Sequence, residues 1–379
     1  MPRPDEFVPG SFVHTFWPGR VVFGPGTLAR VGDEVAALGV RRVLVVATNS
    51  ARAAADAVQQ QLGDRFAGRI DGVAQHVPTQ LADAARTTAR DVNADAAVAI
   101  GGGSAIGLAK AVALTSTDGV VVVAVPTTYA GSEMTPVWGE TAGGSKATGV
   151  DSRVLPRVVV YDAELSRGLP VQVTAASVAN AMAHCVEAVW TPKADPITEV
   201  IAVEGVRALS SGLRQVLMEP DDLEGRGRLV YGACLAGSAL ATAGTGLHHK
   251  LCHLLGGTYN LPHAETHAAV LPQVARIEAA TVPASASRLA AALRGEDAAV
   301  GASTASGGRA DGESAVDGES TAAEGLARGL FDLFRGAGVA VSLRELGLGR
   351  EQVDEAVAAF GDDDLVREIL VRAWDGVRP

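Results

Sequence analysis

Ala96-Ala97-Val98-Ala99-Ile100-Gly101-Gly102-Gly103-Ser104-Ala105-Ile106-Gly107-Leu108-Ala109-Lys110 reads as a strand, a glycine turn and a helix in immediate succession. Glycines let a backbone approach a pyrophosphate closely, and a helix start offers it free N–H groups and the positive end of a dipole. The same unit recurs on either side. Arg42 to Ala47, Val120 to Val125 and Val158 to Tyr161 are short β-branched runs, and the alanine-rich stretches Ser50 to Leu62 and Leu81 to Val92 have helical character. Buried strands alternating with helices predict a mostly parallel sheet covered on both faces.

After Ser166 the β-branched runs stop, and from Val173 onward the pattern is helical nearly to the end. With 379 residues, and about 150 per domain as a guide, two cores are expected. Residues 1–165 predict an α/β dinucleotide-binding domain, and residues 166–379 an all-helical catalytic domain, with the active cleft between them. About residues 295–323, rich in Gly, Ser, Glu and Asp, apolar content is too low to bury, which predicts a solvated loop; a lid or partner-binding role is the alternative.

The net charge of −11, with no basic patch, speaks against nucleic acid and anionic membranes as partners. Cys185, Cys234 and Cys252 are odd in number and lack CxxC spacing, pointing to a reduced compartment without structural zinc. No signal-peptide pattern opens the chain, and no apolar run nears the roughly 20 residues of a membrane span. The expectation is a cytoplasmic protein.

The chemistry is carried by Asn180-Ala181-Met182-Ala183-His184 and by His249-Lys250-Leu251-Cys252-His253, followed by Pro262-His263. Residues four apart share a helix face, so Asn180 pairs with His184 and His249 with His253, while Pro262 can open the next helix beside His263. His248 falls about 100° around the helix from His249 and is assigned no role. His267, four after His263, is a weaker candidate for the same cleft.

These intervals resemble the iron-containing (group III) alcohol dehydrogenase family, a fold shared with dehydroquinate synthase, whose metal ligands are an Asp and three His. His184, His249 and His263 match the three histidines, and Asn180 stands where the Asp belongs. That exchange resembles the maleylacetate reductase branch, as do Val137 to Thr141, Gly143 to Gly149 and Leu261 to Ala268. Val150 departs from it, falling where an arginine is expected. Such a resemblance implies NAD(P)H-dependent reduction of the conjugated double bond of maleylacetate to 3-oxoadipate, in aromatic-compound degradation, by a protein that is commonly dimeric.

A neutral amide holds zinc or iron less well than a carboxylate, so metal is expected to be absent; if metal binds, His184, His249 and His263 are its ligands. Without metal, charge on the substrate oxygen must meet a proton or hydrogen-bond donor, and histidine suits both tasks. His253 is the candidate for handling the proton, and His249 or His184 for the oxyanion. Tyr129, Asn180 and Lys146 are candidates for an anionic substrate.

Candidates for NADH or NADPH are Gly101, Gly102, Gly103, Ser104, Thr127, Thr128, Ser132, Lys146 and Asn49. No acidic residue follows the first strand to repel a 2′-phosphate, although Asn49 and Ser50 can equally be helix caps. Two other readings stay open. One is a metal-dependent alcohol dehydrogenase acting on a small alcohol or aldehyde. The other is a dehydroquinate-synthase-like lyase or cyclase, which turns over no net nucleotide.

Overall fold

The computed structural model describes residues 12–17, 19–74, 77–116, 119–143, 145–296 and 314–379. Its first half runs β1 (Arg20–Phe23), α1 (Val31–Ala37), β2 (Val43–Ala47), α2 (Arg52–Leu62), β3 (Phe66–Ile70), α3 (Thr79–Asp91), β4 (Ala96–Gly101), α4 (Gly103–Thr115), β5 (Val121–Pro126), β6 (Val137–Ala142), β7 (Ser145–Val150) and β8 (Val158–Tyr161). Six of these strands form one parallel sheet in the order β1-β8-β5-β4-β2-β3. β6 and β7 form a separate antiparallel hairpin.

Alternation along the central strands sorts side chains into two cores. Val43, Val45, Val98, Ile100, Val123 and Val125 pack with α1 and α2 on one face. Leu44, Val46, Ala97, Ala99, Val122 and Ala124 face the other way, into a core continuous with the helical half. Every residue of β2 and β4 is buried, as a strand covered on both faces requires.

The second half is helical: α5 (Val171–Ala188), α6 (Pro196–Met218), α7 (Leu223–Ala243), α8 (Leu247–Tyr259), α9 (His263–Glu278), α10 (Pro283–Arg294), α11 (Ser314–Gly336), α12 (Arg350–Ala359) and α13 (Asp364–Asp375). Asp195 and Asp222 cap α6 and α7 by accepting from N–H groups of their first turns, and Pro196 opens α6. Between α7 and α8 the chain turns by 103° at Gly244 to Gly246, which delivers His248 and His249 at the start of α8. Among the described residues no single helix is long and apolar enough to cross a membrane.

One expectation is corrected here. Of the loop expected at 295–323, residues 314–323 are the first turns of α11, while 297–313 lie outside the described residues. Ala323, Leu326, Ala327, Leu330 and Phe334 are buried at helical spacing. Extending a helix from such an anchored stretch costs far less than starting one, so Ser314 to Ala322 continue it despite their polarity.

Candidate active site

The order of strand addition reverses between the parallel neighbours β2 and β4: the chain leaves β2 toward β3 on one side and leaves β4 toward β5 on the other. In open α/β sheets this is where a crevice opens at the carboxyl ends of the strands. Here it is lined by Thr48-Asn49-Ser50 after β2 and Gly101 to Ser104 after β4.

Gly101 takes φ +148, and a Cβ there would lie 2.7 Å from Thr48 Cγ2; a Cβ on Gly102 would lie 3.0 Å from Thr128 Oγ1. The turn is therefore pressed against both neighbouring loops, and the Thr127 N–H donates to the Gly101 carbonyl at 3.0 Å. No side chain caps α4, whose first N–H groups face this crevice. Asn49 is exposed and caps no helix, so the capping alternative is overturned. These features make a cradle that fits a dinucleotide phosphate.

The loop after β5 then crosses to the helical half. Gly131, at φ +75, rests on Gly237 of α7, where any Cβ would collide with the Gly131 carbonyl. A Cβ on Gly131 would itself lie 3.2 Å from His184 Nδ1. Backbone thus meets backbone beside the histidines. The Ser132 main-chain carbonyl is held by Lys110: the fully buried ammonium donates to the carbonyls of Ser132, Thr135 and Val137 at 2.7, 2.8 and 2.8 Å. Burial draws that ammonium down to about 7, against the pull of Glu133.

The expectation that Tyr129 meets an anionic substrate is corrected. Its ring is wholly enclosed and its hydroxyl accepts from Arg226 at 3.3 Å, so it faces the core and not a substrate. Lys146 pairs with Thr141 across the β6–β7 hairpin, and its side chain lies outside the described residues.

The histidines do converge. His184 of α5 stacks on His249 of α8 with ring centroids 5.0 Å apart; His249 lies 6.2 Å from His253, which stacks on His263 of α9 at 5.8 Å. His253 is exposed and His263 half-buried, whereas His184 and His249 are buried. The cluster therefore runs from solvent to interior. Asn180 Oδ1, His184 Nδ1 and His249 Nε2 are buried polar atoms without a hydrogen-bond partner, as expected of groups reserved for a ligand.

Glu187, one turn beyond His184, was not legible in the sequence. One carboxylate oxygen accepts from the His248 main-chain N–H at 2.8 Å and so caps the buried first turn of α8; the other pairs with His249 Nδ1. Fixing Nδ1 aims His249 Nε2 the other way. Burial pushes the Glu187 carboxyl up, but its bonds to His249 outweigh that and hold it at about 2.

His184 lies well below the ordinary histidine range because of burial, reinforced by its histidine neighbours. It is neutral near pH 7, so it can meet an oxyanion through a ring N–H and not as a cation. His248, assigned no role above, shares a 2.7 Å hydrogen bond with His267, whose other nitrogen lies 3.3 Å from His263 Nε2. Among the described residues, the trio of His, Cys, Asp or Glu whose donor atoms all lie within 4.8 Å of one another is His248, Cys252 and His267, and not His184, His249 and His263.

Residues 18–163 match the iron-containing alcohol dehydrogenase family, and residues 174–368 its C-terminal part. The chain is 51% identical over 283 residues to maleylacetate reductase 2 of Cupriavidus pinatubonensis, covering 75% of this chain and 78% of that protein. It is 42% identical to a maleylacetate reductase of Burkholderia cepacia, over 95% of this chain and 97% of that one. The crystal structure of maleylacetate reductase from Rhizobium sp. superposes with a TM-score of 0.84 at 39% identity, covering 97% of this chain and 99% of the other. The protein is an oxidoreductase belonging to the iron-containing alcohol dehydrogenase family.

Proposed function

We propose that the protein is an NAD(P)H-dependent reductase of maleylacetate type that works without a metal ion. The observation that carries this reading is the buried, unpartnered Asn180 amide oxygen one turn before His184 on α5, where His184 in turn stacks on His249. An amide supplies no negative charge, and the three histidines at the family's ligand positions do not draw their donor atoms within 4.8 Å of one another. This donor set does not fit iron or zinc well. A neutral amide does suit a dicarboxylate, which a buried carboxylate would repel. The relatives named maleylacetate reductase support the same substrate class.

NAD(P)H, which Gly101 to Ser104 and the loop after β2 would hold, would supply the hydride. It is added to the substrate carbon β to the ketone, and the displaced electron pair moves onto the ketone oxygen as an enolate. His249, backed by Glu187, meets that oxygen through Nε2. His253 delivers the proton to the α carbon and is recharged from solvent. Exposed Asn49, in the acid-free stretch Thr48 to Arg52 that follows β2, supports acceptance of both NADH and NADPH.

The reading is tested by NADH oxidation with maleylacetate against a panel of aldehydes, alongside the metal content of the purified enzyme. Preference for aldehydes together with an equivalent of bound iron or zinc would overturn it. Asn180→Asp is expected to raise affinity for zinc and to lower kcat/KM for maleylacetate at least about tenfold, because a like charge a few ångströms from a dianion costs more than about 1.4 kcal/mol. Unchanged metal affinity and kinetics would remove the charge argument. Gly101→Ala is expected to weaken NADH binding by about an order of magnitude, since strain of about 1–3 kcal/mol enters at the crevice. Fluorescence titration checks this, and an unaltered Kd would take the turn out of the binding site.

A further inference from the structure

We propose that His248, Cys252 and His267 form a second site, directly behind the cleft histidines, that captures a thiophilic divalent cation such as zinc and thereby inhibits the enzyme. Two imidazoles and a thiol are the donors zinc prefers, and here they are held in place by two packed helices. His248 and Cys252 sit four apart on α8, and His267 comes from α9. All three side chains are fully buried, so little ordering is needed on binding.

Tetrahedral zinc, with bonds of about 2.3 Å to sulfur and 2.0 Å to nitrogen, separates sulfur from nitrogen by about 3.5 Å and two nitrogens by about 3.3 Å. Cys252 Sγ already lies 3.7 Å from His248 Nε2, while the 2.7 Å pair of His248 and His267 must widen by roughly half an ångström. Glu187, accepting from the His248 N–H, adds negative charge beside the trio.

Binding releases the Cys252 thiol proton to solvent, one per ion, and replaces the His248–His267 hydrogen bond with two metal–nitrogen bonds. His267 also faces His263 Nε2 at 3.3 Å, so a metal that pins His267 restrains a ring stacked on His253. Occupancy therefore lowers turnover without any ligand from the cleft.

The test is a cobalt titration of chelator-treated, full-length enzyme, followed by absorbance and proton release. One equivalent of cobalt should give a thiolate-to-cobalt charge-transfer band, release one proton, and be displaced by zinc. Cys252→Ser should abolish the band, weaken zinc binding at least 100-fold and keep basal turnover while losing inhibition by stoichiometric zinc. His184→Ala should retain the band, because the cleft contributes no donor to it. If Cys252→Ser does not fold, Cys252→Ala replaces it. Cobalt bound without a thiolate band, a band that survives loss of Cys252 or disappears in His184→Ala, or no binding at all would each overturn the proposal. The band is independent of substrate, so its outcome is separate from that of the maleylacetate assay.

Discussion

Replacing His253 with alanine is expected to lower turnover by about two orders of magnitude. His253 lies one turn beyond His249 on α8, at the solvent end of the cluster, with its ring 6.2 Å from His249 and 5.8 Å from His263. The interior members cannot replace it. His184 and His267 lie well below the ordinary histidine range through burial, so they are neutral near pH 7 and closed off from bulk protons. His253 alone among the four assigned histidines is exposed, and can be recharged after each turnover. The substitution leaves the glycine turn untouched, so NADH should bind as before. Steady-state kcat with a matched nucleotide titration checks both halves, and near-normal kcat would withdraw the assignment.

Arg226→Leu is expected to destabilise the fold by about 3 kcal/mol or more, because several buried acceptors lose their donor together. Arg226 is 1% exposed, and its guanidinium donates to the Leu169 carbonyl at 2.9 Å, the Pro220 carbonyl at 3.0 Å, the Thr174 hydroxyl at 2.7 Å and the Tyr129 hydroxyl at 3.3 Å. It thereby ties the loop after β5, the passage into α5, α5 itself and the turn before α7. All these acceptors are neutral, so geometry matters more than charge. Arg226→Lys keeps the charge but not the planar fork, and should recover only part of the loss. Denaturant unfolding measures this directly; a loss under about 1 kcal/mol would show that water or rearrangement satisfies the site.

The buried centre of the sheet was legible in the sequence. The strand read at Ala96 to Ile100 became β4, the three β-branched runs became β2, β5 and β8, and the helical stretches became α2 and α3 within two residues at each end. β3, Phe66-Ala-Gly-Arg-Ile70, gave no such signal because it pairs only with β2 and is half-buried along its length. The hairpin of β6 and β7 was quoted for its resemblance alone, and its glycines hid its pairing. In the helical half the spacing brought Asn180, His184, His249, His253 and His263 together. Glu187, Lys110 and Arg226 escaped notice, since a buried charge is recognisable only through its partners. Glu187 meets the start of α8 at a separation of 61 residues, and Arg226 meets Tyr129 at 97.

The contact of Gly131 with Gly237 has a consequence for how such an enzyme can change its diet. The spacing between the parallel-sheet half and the histidine-bearing half is gauged there by main chain against main chain. Pocket walls can then be exchanged freely while the reach of the hydride stays calibrated. New substrates become accessible by re-lining, whereas a methyl group added at that seam would throw every one of them out of reach.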